Sequence, residues 1–350
     1  MEATAAQGAW KKVLWQGMTV AALLGCAYLF PPLAFLAAFA LPLWVCPAFA
    51  KGDIGLALVL PLAPTAACLM NAYDPMLTLC IPVASYLCLL GHTLAKRQRF
   101  SFTAEGLLYT VSIIVAALLM LLQIGSSLGG PLFSGLSERL VQRVQGSLLS
   151  GNILYALASV GFLPMPEAYR NAAGLQLGNI LLLNPFLHIE FINMLRLRLT
   201  EELQLLIPTL LMQGSILCGF FSALRSERAQ AKKTGNPQAA PVFRSLQLPR
   251  REQQYMLVLC IGTVLTSFSN QPLISLLCTL MYSAFATVFQ LLGAAVLVYR
   301  LARRHPRRIT LYGALAALLF LVFPLALFML GMIDQFLPLR TASFNHQEEE

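Results

Sequence analysis

The residues able to do chemistry in this chain are few, and they are set among long apolar stretches. The ionisable ones that stand in or beside apolar sequence are Asp74, His92, Glu105 and Asp334, with His188 and Glu190 in a mixed region. Glu105 is expected in the first turn of a helix, where its carboxylate complements the positive end of the helix dipole. His92 is expected near the same surface and Asp74 and Asp334 near the opposite one, so no charge is expected at mid-membrane and a relay of buried carboxylates is not anticipated. His188 and Glu190 are two apart, which on a helix sends them to different faces, so no metal site is expected there. The eight cysteines (Cys26, Cys46, Cys68, Cys80, Cys88, Cys218, Cys260 and Cys278) all lie in apolar stretches. They form no CxxC pair and have no companion histidines, so they read as small buried apolar side chains.

Uncharged polar groups are the better candidates for contact with a ligand. Gln290 stands three residues before Gly293, Gln213 precedes Gly214, and Thr287 lies in the same apolar stretch as Gln290. Hydrogen bonds between helices and contacts to a polar ligand are the two uses of such groups. Gln290, together with Asn270 in a hinge, forms the candidate ligand-binding set. Catalytic signatures are missing: there is no HExxH, no GxSxG, no pair of intramembrane aspartates and no GxxxxGK[ST] phosphate loop. An enzyme is therefore not expected, nor is a cofactor. Any uphill movement of a solute would draw on a partner or a gradient.

These groups are carried by a polytopic bundle. Of 350 residues, 58% are hydrophobic and 11% are charged, against about 25% charged in an ordinary soluble domain. Apolar runs recur along almost the whole chain, which excludes a soluble enzyme domain and predicts an all-α transmembrane helix bundle of about nine spans. The spans are expected near 13–30, 33–50, 54–71, 75–95, 104–125, 203–224, 254–270, 273–299 and 309–332. Breakers lie between them: Pro31-Pro32, Lys51-Gly52-Asp53, Asn71 to Pro75, and Ser269-Asn270-Gln271-Pro272. Within the spans, Pro42, Pro47, Pro61, Pro64, Pro82, Pro208 and Pro324 are expected to kink helices, as in bundles that enclose a cavity.

Charge sets the orientation. Basic residues concentrate in cytoplasmic connections, and an N-terminus inside a bacterial cytoplasmic membrane places 18 of the 24 Lys and Arg there, with 6 outside. Nine spans then leave the C-terminus, which ends Glu348-Glu349-Glu350, outside. The net charge of +9 is thereby a matter of topology, and nucleic acid is not an expected partner. The chain reads as a single integral membrane domain, residues 1–350, with two additions. Residues 126–202 form an external helical insertion, in which Leu132, Phe133, Leu136, Leu140, Val141, Val144 and Leu148 share one helical face suited to the membrane surface or to capping the bundle. Residues 225–252 form a basic cytoplasmic linker around Thr234-Gly235-Asn236-Pro237. On the first helix, Gly17, Ala21 and Gly25 recur every four residues, a pattern that lets another backbone approach closely.

Three late segments together resemble a known family. They are Pro241-Val242-Phe243-Arg244 to Leu248-Pro249-Arg250, the run Phe289-Gln290-Leu291-Leu292-Gly293, and the ending from Leu330 through Gly331 and Asp334 to Arg340. They look like the YybS-like family of uncharacterised multi-pass bacterial membrane proteins, which is distantly similar to the S components of energy-coupling-factor transporters. The resemblance implies an S-component-like core, a transporter-like small-molecule-binding role without an ATPase of its own, and a C-terminal motif carried here by Gly331, Asp334 and Arg340. It also implies that Gly17, Ala21 and Gly25 dock onto a membrane coupling subunit. The chain departs from the pattern in about three extra spans, in the 126–202 insertion, and in Pro338, which stands where the family has an acidic residue. The rival expectation is a membrane scaffold or regulator, whose basic loops hold a cytoplasmic partner or anionic lipid.

Overall fold

The computed structural model describes residues 2–337, apart from 30–31, 99, 129–130, 165–174, 178–179, 183–184, 237–241, 247, 249, 269–270 and 306–307. At a few helix and strand ends only the backbone is described, including residues 2–14, 250–252 and 272–273. Among the described residues the regular structure is helical apart from one short hairpin. The helices are α1 (Glu2–Leu29), α2 (Pro32–Ala40), α3 (Pro42–Lys51), α4 (Ile54–Val59), α5 (Leu62–Met70), α6 (Pro75–Arg97) and α7 (Phe102–Leu128). They continue with α8 (Leu132–Gln145), α9 (Ser150–Ser159), α10 (Pro185–Lys233), α11 (Arg250–Ser267), α12 (Pro272–Arg304), α13 (Ile309–Val322) and α14 (Pro324–Phe336). The hairpin joins β1 (Leu175–Leu177) to β2 (Ile180–Leu182), pairing Leu175 with Leu182 and Leu177 with Ile180.

Among the described residues, four stretches are long and apolar enough to cross a membrane: Pro75–Arg97, Phe102–Leu128, His188–Lys233 and Ile274–Arg304. A fifth is reached if α13 and the following α14, bent by 112° at their junction, count as one broken span. The first and third predicted spans correspond to shorter apolar helices, Trp15–Leu29 and Ile54–Met70. Exposed Leu, Val, Ile and Phe side chains cover much of the helical surface, as expected where lipid is the solvent.

Proline position explains most differences from the predicted spans. The span at 33–50 is interrupted at Leu41, and that at 54–71 at Leu60 and Pro61, yet the backbone there stays in the right-handed helical region (Leu41 φ −53°, ψ −40°; Pro61 φ −71°, ψ −23°). What is lost is the N–H of Pro42 and of Pro61, so a ladder bond drops out there. At Pro324 the result differs. Phe323 before it takes φ −130°, ψ 59°, outside the helical region, and the axis turns. Pro82 and Pro208 interrupt nothing and lie inside continuous helices. The sixth span proves to be part of a helix of 49 residues, and its C-terminal end runs through Arg225, Arg228, Lys232 and Lys233, so the linker expected from 225 begins instead after Lys233.

The chain divides into two compact units, with the divisions falling inside α7 and α10. One unit comprises Met120–Pro208 and contains most of the segment expected as an insertion. Its core is Val141, Leu154, Ala158, Leu163, Phe191, Ile192 and Leu195. The apolar face of α8 is therefore split: Val141 is fully buried and Val144 packs against this core, whereas Leu140 and Leu148 stay exposed. A hydrogen bond of 2.8 Å between the Ser137 and Thr200 hydroxyls ties α8 to α10, and the His188 ring reaches Ser150 Oγ at 3.3 Å.

The other unit comprises Met1–Leu119 and Thr209–Glu350. Within it α1 packs by Val20 and Leu23 against the region around Leu41, Val45 and Leu60, Ala27 is buried, and the Asn71 amide donates to the Tyr28 carbonyl at 3.0 Å. The late helices pack as a group: α11 and α14 both lie against α12 through Phe285, Phe289, Phe328, Met256 and Cys260. Gln253 fastens the start of α11 by donating to the Leu248 carbonyl and to Gln335 Oε1, each at 3.0 Å.

Candidate functional site

The chemistry-bearing side chains that converge are those on the α6–α7 turn. Gln98 caps α6, the Phe100 N–H returns to the Ala95 carbonyl at 2.9 Å, and Ser101 Oγ accepts from the Ala104 N–H at 3.3 Å as α7 begins. This tight reversal lays the last turns of α6 beside the first turns of α7. His92 and Lys96, four apart on α6, thereby meet Glu105 and Tyr109, four apart on α7.

A third helix closes the cluster. A Cβ on Gly219 of α10 would overlap the backbone and hydroxyl of Thr110, and Gly106 lies next to Phe220 and Ala223. Small residues allow α7 and α10 to cross at near backbone contact. One turn beyond Ala223, the same crossing delivers Ser226 and Glu227. From α3, Phe49 sets its ring edge-on to His92 at 5.8 Å between centroids, and Arg225 of α10 lies 5.7 Å from the Trp44 ring of the same helix.

The geometry is dense. His92 Nδ1 is 2.8 Å from Glu105 Oε1, 2.8 Å from the Tyr109 hydroxyl and 3.3 Å from Ser226 Oγ. The Tyr109 hydroxyl donates to Glu105 Oε1 at 2.6 Å. Lys96 Nζ lies 3.6 Å from Glu105 Oε2 and pairs with Glu227 Oε1. Glu105 is 1% exposed, His92 5% and Tyr109 fully buried, whereas Lys96 and Glu227 are part-buried. On the deeper side Tyr109 packs with the free thiols of Cys46, Cys88 and Cys218. An ionised Glu105 so enclosed is tolerable only because its oxygens meet an imidazole, a phenol and an ammonium.

Other predicted site residues lie elsewhere or apart from one another. Gln290 is 9% exposed on α12, next to Phe289 and near the buried Thr287, whose hydroxyl donates to the Ser283 carbonyl at 2.7 Å. Asn270 and Arg340 lie outside the described residues. Gly331 of α14 sits against Phe289 and Gly293 of α12, and Asp334, one turn on, is buried. Gly17 and Ala21 are exposed, and a Cβ on Gly17 or Gly25 would meet nothing within 4 Å, so this stripe is not used in packing among the described residues. No group of three or more His, Cys, Asp or Glu among the described residues is arranged to hold a metal ion.

The convergence of a histidine and a carboxylate is not among the sequence expectations. Glu105 does occupy the first turn of α7, but its carboxylate is spent on His92 and Tyr109. The signal was present as two polar pairs at helical spacing, His92 with Lys96 and Glu105 with Tyr109, flanking one short turn. The contribution of Ser226 and Glu227, more than a hundred residues later, had no local mark. No family model, curated protein or solved structure matches the chain.

Proposed function

We propose that this chain is a transporter-like, multi-pass membrane protein that binds a small solute and has no ATPase of its own. The observation that carries the reading is the enclosed His92, Glu105, Tyr109 and Ser226 cluster with its Lys96–Glu227 pair, inside a bundle whose other helical surface is apolar. Ionisable groups buried among membrane helices are costly, and they characteristically mark the paths of substrates, ions or protons. The axial break at Phe323–Pro324 adds the kind of discontinuous helix on which solute sites are built.

The same reading takes the N-terminus as cytoplasmic, nine crossings, and an S-component-like core resembling the YybS-like family. The antiparallel course of α14 along α12, with Leu327 beside Gly293 and Gly331 beside Phe289, supports a C-terminus on the side opposite to the α12–α13 connection. The open Gly17, Ala21 and Gly25 stripe is the face on which a coupling subunit would dock, and Gln290 the uncharged contact for solute.

The test is a thermal-shift panel of vitamins and small metabolites on protein in lipid nanodiscs, with copurifying proteins identified in parallel. Concentration-dependent stabilisation by at least one solute is the expected result. A flat panel without a membrane coupling subunit contradicts the proposal, and a flat panel with a cytoplasmic partner bound to the basic connections favours the scaffold reading.

A further inference from the structure

We propose that the face shared by α3 and the C-terminal end of α10 binds an anionic phospholipid, its phosphate set among Lys51, Arg225 and Lys232 and an acyl chain lying along Trp44 and Phe221. This goes beyond the transporter reading and stands without it. The two helices are tied together at two levels. Arg225 of α10 lies 5.7 Å from the centre of the Trp44 ring, and a Cβ on Gly52, which closes α3, would come within 3.1 Å of Lys233 Nζ. From Trp44 to Gly52 and from Arg225 to Lys233 the separation is the same, eight residues. The helices therefore run side by side in the same direction over about two turns. Seven residues on a helix return almost to the same face, which puts Lys51 in line with Trp44 on α3 and Lys232 in line with Arg225 on α10.

The face joins an apolar part to a basic one. No Lys, Arg, Asp or Glu occurs between Lys12 and Lys51 or between Glu202 and Arg225, so Lys51 and Arg225 each end a long apolar run. Trp44 is 49% exposed, and Phe221, one turn before Arg225, is half-buried. Aromatic rings at this level suit the boundary between acyl chains and headgroups. Beyond it Lys51, Arg225, Lys232 and Lys233 are exposed, and Arg228, one turn from both Arg225 and Lys232, is half-buried. Against these cations stands Asp53, which follows Gly52. Glu227 is engaged with Lys96, and Glu105 with His92 and Tyr109. The C-terminal dipoles of α3 and α10, worth about half a charge each, offset a little more and leave the face positive. A phospholipid phosphate supplies the opposite charge, as at other basic pockets between membrane helices. Its acyl chains cover the Trp44 ring, which a free phosphate or an acidic peptide would leave bare.

The experiment is quenching of Trp44 fluorescence by brominated lipid. The chain has three tryptophans, and Trp10→Phe with Trp15→Phe leaves Trp44 as the reporter in the full chain. The protein is placed in phosphatidylcholine nanodiscs, with brominated phosphatidylglycerol or brominated phosphatidylcholine as the quencher. Phosphatidylglycerol should compete for the Trp44 site about tenfold better or more. Arg225→Gln and Lys232→Gln should each reduce that preference about three- to fivefold, whereas Arg303→Gln with Arg304→Gln, at the end of α12, should leave it unchanged. Lys232→Gln changes an exposed residue at the helix end and reads the site even where Arg225→Gln disturbs the Trp44 ring. Equal quenching by the two lipids overturns the proposal, and stabilisation of the same sample by inorganic phosphate would then mark the face as a free-anion site. A preference unmoved by Lys232→Gln, or lowered as much by the α12 pair, also overturns it, because the lipid would then be drawn by surface charge in general.

Discussion

Gly293 and Gly331 sit opposite one another on α12 and α14, so close that a Cβ on the first would overlap the Leu327 carbonyl and a Cβ on the second the Phe289 carbonyl. Backbone lies on backbone, and no flexible side chain is available to yield. Membrane helices gain little from hydrophobic association and rely on such close packing instead. Gly293→Ala and Gly331→Ala should therefore each force the helices apart and cost about 1 to 3 kcal/mol. The check is the midpoint of thermal unfolding in one fixed detergent, which should drop clearly in both variants.

Gly17 and Gly25 supply the contrast. Nothing lies within 4 Å of a Cβ placed on either, so Gly17→Ala and Gly25→Ala should leave stability within about 0.5 kcal/mol of the parent. If the stripe docks onto a coupling subunit, the same substitutions should reduce the amount of that subunit recovered by affinity purification while leaving thermal unfolding unchanged.

Glu105 should be far less tolerant of truncation than of isosteric exchange. Glu105→Ala leaves the Tyr109 hydroxyl and His92 N–H without their acceptor in a buried site, at a cost of about 3 kcal/mol or more. Glu105→Gln keeps one oxygen for them and should lose less. Tyr109→Phe deletes only the hydroxyl and its 2.6 Å bond, at a cost of about 1 to 2 kcal/mol. Denaturation of the three variants in a common detergent should rank them Glu105→Ala lowest, and a different lowest variant would mean that the carboxylate is not the hub.

Gly219→Ala should act on the cluster from a distance. The added methyl would collide with the Thr110 backbone, moving α10 away from α7 and with it Ser226 from His92. In Gly219→Ala the accessibility of His92 to a small alkylating reagent should rise relative to the parent, and an unchanged accessibility would mean that the α7–α10 crossing does not hold the cluster closed.

How far sequence reaches into this fold depends on which interactions decide each element. The long apolar runs at 75–95, 104–125 and 273–299 reappear within α6, α7 and α12, because an uninterrupted apolar stretch has no other way to satisfy its backbone in lipid. The fate of each proline was not legible. Pro82 and Pro208 lie in unbroken helices while Pro324 follows a 112° turn, since the outcome hangs on whether the preceding residue is held in or out of the helical region by its neighbours. The candidate site was half legible. His92 with Lys96 and Glu105 with Tyr109 are local pairs, but Glu105 has an adequate explanation in the helix dipole until α10 is laid across it, and nothing near residue 105 foretells Gly219 or Ser226.

On the proposed function, the enclosed His92–Glu105 cluster serves solute handling rather than merely fastening three helices. The most direct measurement is solute binding in nanodiscs, comparing the parent with His92→Gln and with Tyr109→Phe, the variant that loosens the cluster but keeps His92 and Glu105. The expected result is a solute that binds the parent and Tyr109→Phe with similar affinity and His92→Gln about tenfold or more weakly. A solute bound equally well by the parent and by His92→Gln would contradict it.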